Sequence, residues 1–586
     1  MQINMLIFFK NDYEYLKLFI FIGLSLLFFS SILSTGHLAD DAYNSQIRGA
    51  LMFSNISLFD RTIAEINGWI FGAGRIFILN WIWVYSLFYF FTSTLAVKAI
   101  GLIVLHINFI LFYFINKNLS KSSNFALLSI MVFPLIIQYH FVNDPVLAYA
   151  FFIPFQFLLI QLSLLIFLKT IEKSNKLLSF LSISIYMCAL SIYELAYPLF
   201  VIFFLMAYIK NNNLKSSFVK TLPYFLISLL FIILMFYLKL FVIKTDIHPE
   251  GTYPGANLHL YDLSLFFEAL FIQVVAGFPG VNWFTNITGS LIFSLKDVFN
   301  ILLLIMIINQ SKNLINSPKV KLGKEIVFIG LSLIIIPAIL VCMSGHQEEL
   351  VRTGIGSTYL SVFIQYFGVS IILVYIIFKT VKNKTGFFFL LPIIFVLFIT
   401  NLGLNNKVVR ELGGSYKYPR EILEAAHSKG LFSEMKDNSY LYRFMLVPSD
   451  YHWSYATIIG KKFHTCELSK IDQRAIDGGD NYINCLSKIN DTSIFNLSLK
   501  DAWALTYNID RKYGREGRMI LAKINTIELD DDMNIKRLNT KKIRYYDLKD
   551  NELYDLELSD EFNFIELTDE RFLSYKKLKP FPLKLK

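Results

Sequence analysis

Long apolar runs recur through the first 400 residues and restrict what this chain can fold into. About 20 apolar residues cross a bilayer as one helix. Runs of this kind end near Leu33, Ile115, Phe141, Leu168, Tyr193, Tyr208, Phe241, Ile308, Met343, Phe378 and Thr400. The first run is longer than a signal-peptide core, and charged residues and further spans follow it. The sequence therefore predicts an α-helical polytopic membrane protein with about 11 transmembrane helices.

The loops between these runs are of two alternating kinds. One kind carries clustered lysines, as at Lys169, Lys173 and Lys176, and the other carries carboxylates, as at Asp246 and Glu250. Because basic loops face the cytoplasm, we expect a cytoplasmic N-terminus, acidic loops outside and everything after residue 401 outside. The predicted location is the inner (cytoplasmic) membrane.

This alternation requires two apolar stretches, 76–91 and 264–279, to lie along the outer interface without crossing. The first contains Trp81, Trp83 and Tyr85, residues typical of an interfacial helix.

The net charge of +10 could also suggest nucleic-acid binding. Since the lysines cluster in short loops and no basic stripe with interleaved aromatics occurs in a soluble segment, we expect no nucleic-acid partner.

The composition changes after Asn405. Charged residues dominate there, and short β-branched and aromatic runs at 440–447, 493–497 and 518–522 predict strands beside a helix at 420–427. Two domains are therefore predicted: a multi-pass membrane domain at 1–402 and a soluble extracytoplasmic α/β domain at 403–586.

Cysteine usage fits an exported C-terminal domain. Cys466 and Cys485 both lie in it, and two cysteines in an oxidising compartment predict a disulfide. Cys188 and Cys342 lie within apolar runs, where a thiol usually acts as a small apolar filler.

Two adjacent acids, Asp40 and Asp41, follow the first span directly. Repulsion between neighbouring carboxylates raises the pKa of one and keeps the other available as a base or a metal ligand. The alternative is an ordinary loop in which an aspartate caps the next helix. Whether a divalent metal ion takes part is left open by the sequence.

Three further outer positions are candidates for donor or substrate binding. Arg75 follows a glycine-rich stretch, and its alternative role is an interface anchor. Asp144 lies between two spans, where an Asn-Asp-Pro turn is the alternative. Glu194 stands in a very short turn flanked by apolar sequence, and an acid so placed usually faces a cavity or a partner.

The loop after Met343 adds His346 and Arg352 as candidate binding residues. Arginine binds phosphate through two parallel hydrogen bonds, so Arg352 could hold a phosphate group, although single surface arginines are common.

The chain resembles the C-type (GT-C) membrane glycosyltransferases that use polyprenyl-phosphate sugars, and within them the bacterial enzymes that modify O-antigen or other surface polysaccharides. The resemblance rests on Asp40-Asp41 after the first span, the aromatic stretch 76–91, Asp144 and a soluble tail. It implies a hexosyltransferase at the outer membrane face, with a polyprenyl-phosphate sugar as donor and a glycan or lipid-linked oligosaccharide as acceptor. Asp40 or Asp41 would be the base, Arg352 would neutralise the leaving phosphate, and outer aromatics would hold the lipid.

Two other functions remain as alternatives. A polymerase or ligase of lipid-linked oligosaccharides would depend on arginine-rich outer loops. A transporter or flippase would show repeats and charges in the middle of its helices. Ionisable residues gather instead at one membrane face, which favours an enzyme over a transporter.

Overall fold

The computed structural model describes residues 12–38, 40–141, 144–172, 175–242, 263–280, 291–315, 324–342, 360–380, 384–443, 452–467, 501–509, 514–529 and 535–565. Helices make up the described chain as far as residue 428, and a mixed β-sheet dominates the remainder.

The apolar runs fold as helices because a helix satisfies its own backbone hydrogen bonds. In chain order the helices are α1 (Asp12–Phe29), α2 (Asp40–Asn44), α3 (Ile47–Ser54), α4 (Leu58–Asn67), α5 (Ile78–Phe90), α6 (Thr94–Ser120), α7 (Ser123–Met131), α8 (Phe133–Ile136), α9 (Phe152–Glu172), α10 (Lys176–Leu190), α11 (Phe200–Asn211), α12 (Leu214–Tyr237), α13 (Leu263–Ala276), α14 (Asn300–Ile315), α15 (Glu325–Cys342), α16 (Val362–Thr380), α17 (Lys384–Leu412), α18 (Tyr418–Ser428) and α19 (His452–Ile459). Short 3-10 or π-helical segments adjoin several of them, including Gly68–Gly72, Glu194–Leu199, Leu238–Val242 and Gly413–Lys417.

Eight helical segments in the described part of the chain are long and apolar enough to cross a membrane, so the protein is a polytopic membrane protein. They are Glu14–Ser34, Thr94–Ser120, Tyr149–Glu172, Glu194–Asn211, Leu214–Val242, Glu325–Cys342, Val362–Lys379 and Thr385–Ser428.

The predicted count of 11 spans is not confirmed. The other three predicted spans correspond to Ser123–Ile136, to α10 and to the 16-residue α14, which are too short to qualify. The first of these is interrupted at Val132, where Pro134 opens a separate short helix. Stretches 76–91 and 264–279 contain the short helices Ile78–Phe90 and Ser264–Ala276.

Spatial clustering divides the chain into two compact units. The helical unit comprises Met1–Leu33, Thr62–Leu87 and Leu95–Val409. The sheet unit comprises Ser34–Arg61, Phe88–Thr94 and Arg410–Lys586. The residues that follow the first predicted span therefore cluster with the C-terminal part of the chain. Helix α17 runs through position 403, the first residue of the second predicted domain.

Small residues and amides organise the helical unit. Helices α15 and α16 pack closely where Gly330 meets Gly368, since a Cβ atom on Gly368 would lie 2.4 Å from the Gly330 carbonyl oxygen. The chain leaves helical geometry after Ile136, and Asn405 on α17 compensates there. Its amide donates to the Ile137 carbonyl oxygen at 3.0 Å and accepts from the Tyr139 N–H at 2.8 Å. Non-helical backbone is tolerated inside the unit because side chains satisfy it.

The sheet unit contains six strands in the order β2-β1-β3-β4-β5-β6. Their bounds are β1 (Ser439–Arg443), β2 (Phe463–Glu467), β3 (Ala502–Ile509), β4 (Gly517–Leu529), β5 (Ile535–Asp547) and β6 (Glu552–Asn563). Strand β1 pairs in parallel with β2 and β3, and the other pairs are antiparallel. Helix α19 lies between β1 and β2 in sequence, as a parallel connection requires.

Buried clusters of side chains lie on both faces of this sheet. One face packs a core that includes Ile422 of α18, Tyr455 of α19 and Trp503 of β3. The other face gathers alanines of β3 and β4 with Tyr442 and Ile543. In the C-terminal part, the strands predicted near 440–447 and 518–522 and the helix predicted near 420–427 are found as β1, β4 and α18. The strand predicted at 493–497 lies outside the described residues.

Candidate functional site

The adjacent acids Asp40 and Asp41 open helix α2 in the sheet unit and have different environments. The Asp41 side chain is fully buried, with 0% of its surface exposed, whereas Asp40 is exposed. The Asp41 N–H donates to the Leu38 carbonyl oxygen at 2.9 Å, which closes the turn before the helix. Protein atoms around Asp40 nevertheless desolvate its carboxylate and raise its pKa. Asp40 is thus the accessible carboxylate of the pair.

The residues before Asp40 are held tightly within the sheet unit. Gly36 has a φ of +92°, and a Cβ atom there would lie 2.7 Å from the Lys417 backbone nitrogen, so a side chain would clash. His37 is buried, with its Nε2 3.2 Å from Thr94 Oγ1 and its ring edge-on to Phe88. His37 was not predicted as a site residue, since an isolated histidine beside apolar residues gives no distinctive pattern.

Arg75 and Glu194 come together in the helical unit, although 119 positions separate them. Arg75 Nε donates to Glu194 Oε1 at 2.6 Å, and Nη2 donates to Oε2 at 2.9 Å. This is the two-bond geometry of a strong ion pair. Burial alone would lower the pKa of Arg75, but the charge and hydrogen bonds of Glu194, with a smaller contribution from Tyr193, raise it. Each residue is thus the other's partner.

Aromatic rings surround this ion pair. The Arg75 guanidinium lies over Phe77 at 4.2 Å, over Tyr193 at 5.2 Å and over Trp69 at 5.4 Å from the ring centroids. Such cation–π contacts strengthen when water is excluded. The cluster joins the segment before α5 to the 3-10 turn at Glu194–Leu199. Arg75 is thus paired within the helical unit, and both its predicted role in donor or substrate binding and its alternative role as an interface anchor stay predictions.

Asp144 is buried in a turn of the helical unit, and both its carboxylate oxygens are engaged. Oδ2 accepts from the His140 N–H at 2.7 Å, while Oδ1 accepts from the N–H groups of Val146 at 2.7 Å and Leu147 at 3.2 Å. Burial raises the pKa of Asp144 to about 7, although these hydrogen bonds and the charge of Lys98 act to lower it. Lys98 in turn donates to the Leu147 carbonyl oxygen. Asp144 thus holds its own turn through backbone N–H groups, and its role in donor or substrate binding stays a prediction.

The remaining predicted site residues are His346, Arg352 and the two cysteines of the predicted disulfide. His346, Arg352 and Cys485 lie outside the described residues, and Cys466 lies in β2. The Cys466–Cys485 disulfide stays a prediction. Among described cysteines, Cys188 and Cys342 are free thiols. The described part of the chain contains no group of three or more His, Cys, Asp or Glu residues placed to hold a metal ion.

Comparisons with known proteins find similarity among solved structures. No family model matches the chain, and neither does any curated protein. Among solved structures, the chain is similar to the crystal structure of the Archaeoglobus fulgidus oligosaccharyltransferase tethered by a disulfide bond to an acceptor peptide with the NVT sequon. The TM-score is 0.35 with 11% identity, over 85% of this chain and 69% of that chain. A TM-score at this level does not establish a common fold, so the chemistry proposed for this protein rests on its own residues.

Proposed function

We propose that this protein is a membrane glycosyltransferase. It transfers a sugar from a polyprenyl-phosphate-linked donor to a surface glycan of the O-antigen kind at the outer membrane face. The N-terminus is cytoplasmic in this proposal, and the C-terminal part of the chain is extracytoplasmic. The observation that carries the proposal is the exposed Asp40 carboxylate, which follows the first span directly.

In the proposed reaction Asp40 is the general base. The acceptor hydroxyl oxygen attacks the anomeric carbon of the donor sugar while its proton passes to the Asp40 carboxylate. The bond between the anomeric carbon and the phosphate oxygen breaks, and polyprenyl phosphate leaves with the bonding electrons. General-base catalysis of this kind contributes about 100- to 10,000-fold to a rate. A base must be ionised and reachable by the acceptor, and the exposure of Asp40 supports its choice over the buried Asp41.

Other residues have separate roles in the proposal. Arg352, at its predicted outer position, neutralises the leaving phosphate by two parallel hydrogen bonds. The Arg75–Glu194 pair has a structural role. The guanidinium donates to both carboxylate oxygens, and this ion pair anchors the segment before α5. Asp144 fixes its own turn.

The experiment that tests this function compares cells with and without the gene. Polyprenyl-phosphate-linked sugars and surface glycans are extracted from both and analysed by mass spectrometry. Loss of the protein should cause one polyprenyl-phosphate hexose to accumulate and one sugar to disappear from the glycan, and expression of the wild-type gene should reverse both changes. Unchanged sugar composition with shortened glycan chains would instead indicate a polymerase or ligase and would overturn the proposal.

A further inference from the structure

Arg420 on helix α18 connects three separate segments of the sheet unit. Its Nη1 donates to Ser45 Oγ at 3.0 Å, its Nη2 donates to the Thr92 carbonyl oxygen at 3.2 Å, and its Nε donates to Glu424 Oε1 at 2.8 Å. Only 12% of the Arg420 side chain is exposed. A planar guanidinium can serve three acceptors at fixed angles, which a lysine ammonium on a flexible stem does not reproduce.

The contact with Ser45 reaches the helix that carries Asp40. The Ser45 N–H donates to the Asp41 carbonyl oxygen at 2.9 Å, and its hydroxyl donates to the Ala42 carbonyl oxygen at 2.9 Å. Ser45 therefore closes the C-terminal end of α2. A helix of five residues is far too short to be stable alone, so α2 depends on contacts such as this one.

A second contact from the C-terminal part of the chain supports the next turn. Thr457 on α19 donates from Oγ1 to the Gln46 carbonyl oxygen at 3.0 Å and accepts there from the Gly49 N–H at 2.9 Å. Helices α18 and α19 thus both fix the backbone between Asp41 and Gly49, one through Arg420 and the other through Thr457.

We propose that Arg420 is a positioning residue for the carboxylate of Asp40, and that supporting helix α2 is a role of the C-terminal part of the chain. The inference rests on the proposed function for its catalytic consequence. Arg420 donates a hydrogen bond to Ser45, and Ser45 in turn closes the C-terminal end of α2. The position of α2 sets the direction of the Asp40 side chain. A displacement of about 1 Å in a catalytic group can cost about 100-fold in rate, so this support has a direct effect on turnover.

The test compares Arg420→Lys and Arg420→Met in the full-length protein, with Arg518→Met as the matched control. Arg518 donates to Asp547 Oδ2 at 2.7 Å elsewhere in the same unit. Amide hydrogen exchange of residues 40–47 is measured in detergent, and transfer is measured with the lipid-linked sugar that accumulates in cells without the gene. Arg420→Lys should accelerate exchange roughly tenfold and lower turnover roughly 10- to 100-fold. The apparent KM for the donor and the melting temperature should stay close to those of the wild type.

Ser45→Ala supplies an independent variant should Arg420→Met fail to fold. The double variant Arg420→Lys with Ser45→Ala should be no slower than Arg420→Lys alone, because both changes break the same link. Wild-type exchange and wild-type turnover in Arg420→Lys would overturn the inference, and so would faster exchange with unchanged turnover while Asp40→Asn is inactive. Faster exchange together with an active Asp40→Asn would instead refute the proposed function.

Discussion

The carboxylates of Asp40 and Glu194 occupy opposite situations. Glu194 lies in a turn of the helical unit, and both its oxygens accept hydrogen bonds from Arg75. Asp40 lies at the start of a five-residue helix in the sheet unit, and its side chain is exposed. Asp144 belongs with Glu194, because three backbone N–H groups occupy its oxygens. An acidic residue near a membrane surface can therefore either stabilise the fold or remain available for catalysis. The hydrogen-bond partners of its carboxylate show which of these two roles it has.

The largest expected effect is on activity, in the variant Asp40→Asn. Asparagine keeps the size of the side chain but cannot take up the acceptor proton, so glycan modification should fall by about 100- to 10,000-fold. Modification is measured by mass spectrometry of the surface glycan, with protein quantity in the membrane held equal. Asp60→Asn is the matched control, since Asp60 is also exposed and accepts from Ser57 Oγ. Equal losses in both variants would contradict the special role of Asp40.

The next effect is on stability, in the variant Arg75→Met. It leaves the Glu194 carboxylate, only 14% exposed, without its partner. Breaking such a pair costs about 3–5 kcal/mol, whereas replacing both members by apolar residues costs much less. The free energy of unfolding in mixed micelles should therefore be lower for Arg75→Met than for the double variant with Glu194→Met. A single variant as stable as the double variant would show that the pair contributes nothing.

Asp144→Asn should have a moderate effect on stability and should change its pH dependence. The asparagine Oδ1 can keep the bonds from Val146 and Leu147, but the NH2 group that replaces Oδ2 cannot accept from the His140 N–H, which costs about 1–3 kcal/mol for a buried donor. In the wild type, the pKa of Asp144 is raised from 3.8 to about 7. Between those values the folded state binds more protons than the unfolded state, so stability should fall as pH rises from 4 to 7 and then level off. Melting curves at several pH values should lose this decline in the variant.

The smallest effect is expected at Lys542, whose ammonium lies 2.8 Å from Glu434 Oε1 on the surface of the sheet unit. Both side chains are more than a third exposed, and exposed pairs contribute about 0–1 kcal/mol. Lys542→Met should shift the melting temperature little, and less still at high salt. The result calibrates what an exposed ion pair contributes here. A loss as large as that of Arg75→Met would remove the distinction between buried and exposed pairs.

Local sequence patterns predicted a large part of this fold. Apolar runs of sufficient length became helices, and short β-branched and aromatic runs such as the one at 518–522 became strands. The number of spans was less predictable, since helix ends depend on local breaks such as the one at Val132. Residue type alone does not reveal where a chain leaves helical geometry and which side chain, here Asn405, satisfies the exposed backbone.

Long-range pairing was the part that the sequence did not reveal. The apolar residues around Glu194 indicated that it needs a partner, but they did not identify Arg75, which lies 119 positions away. Arg420 resembles an ordinary helix-surface residue paired with Glu424 one turn later. Its hydrogen bond to Ser45 joins residues 375 positions apart and exists only in the folded chain.

The most direct test of the central claim measures stability and activity together in Asp40→Asn and Glu194→Gln. Melting temperature is determined in detergent, and glycan modification is determined per folded molecule in the membrane. The predicted result is that Asp40→Asn melts like the wild type but does not modify the glycan, while Glu194→Gln melts at a lower temperature and keeps wild-type activity per folded molecule. A stable but inactive Glu194→Gln together with a fully active Asp40→Asn would contradict the assignment of the two carboxylates.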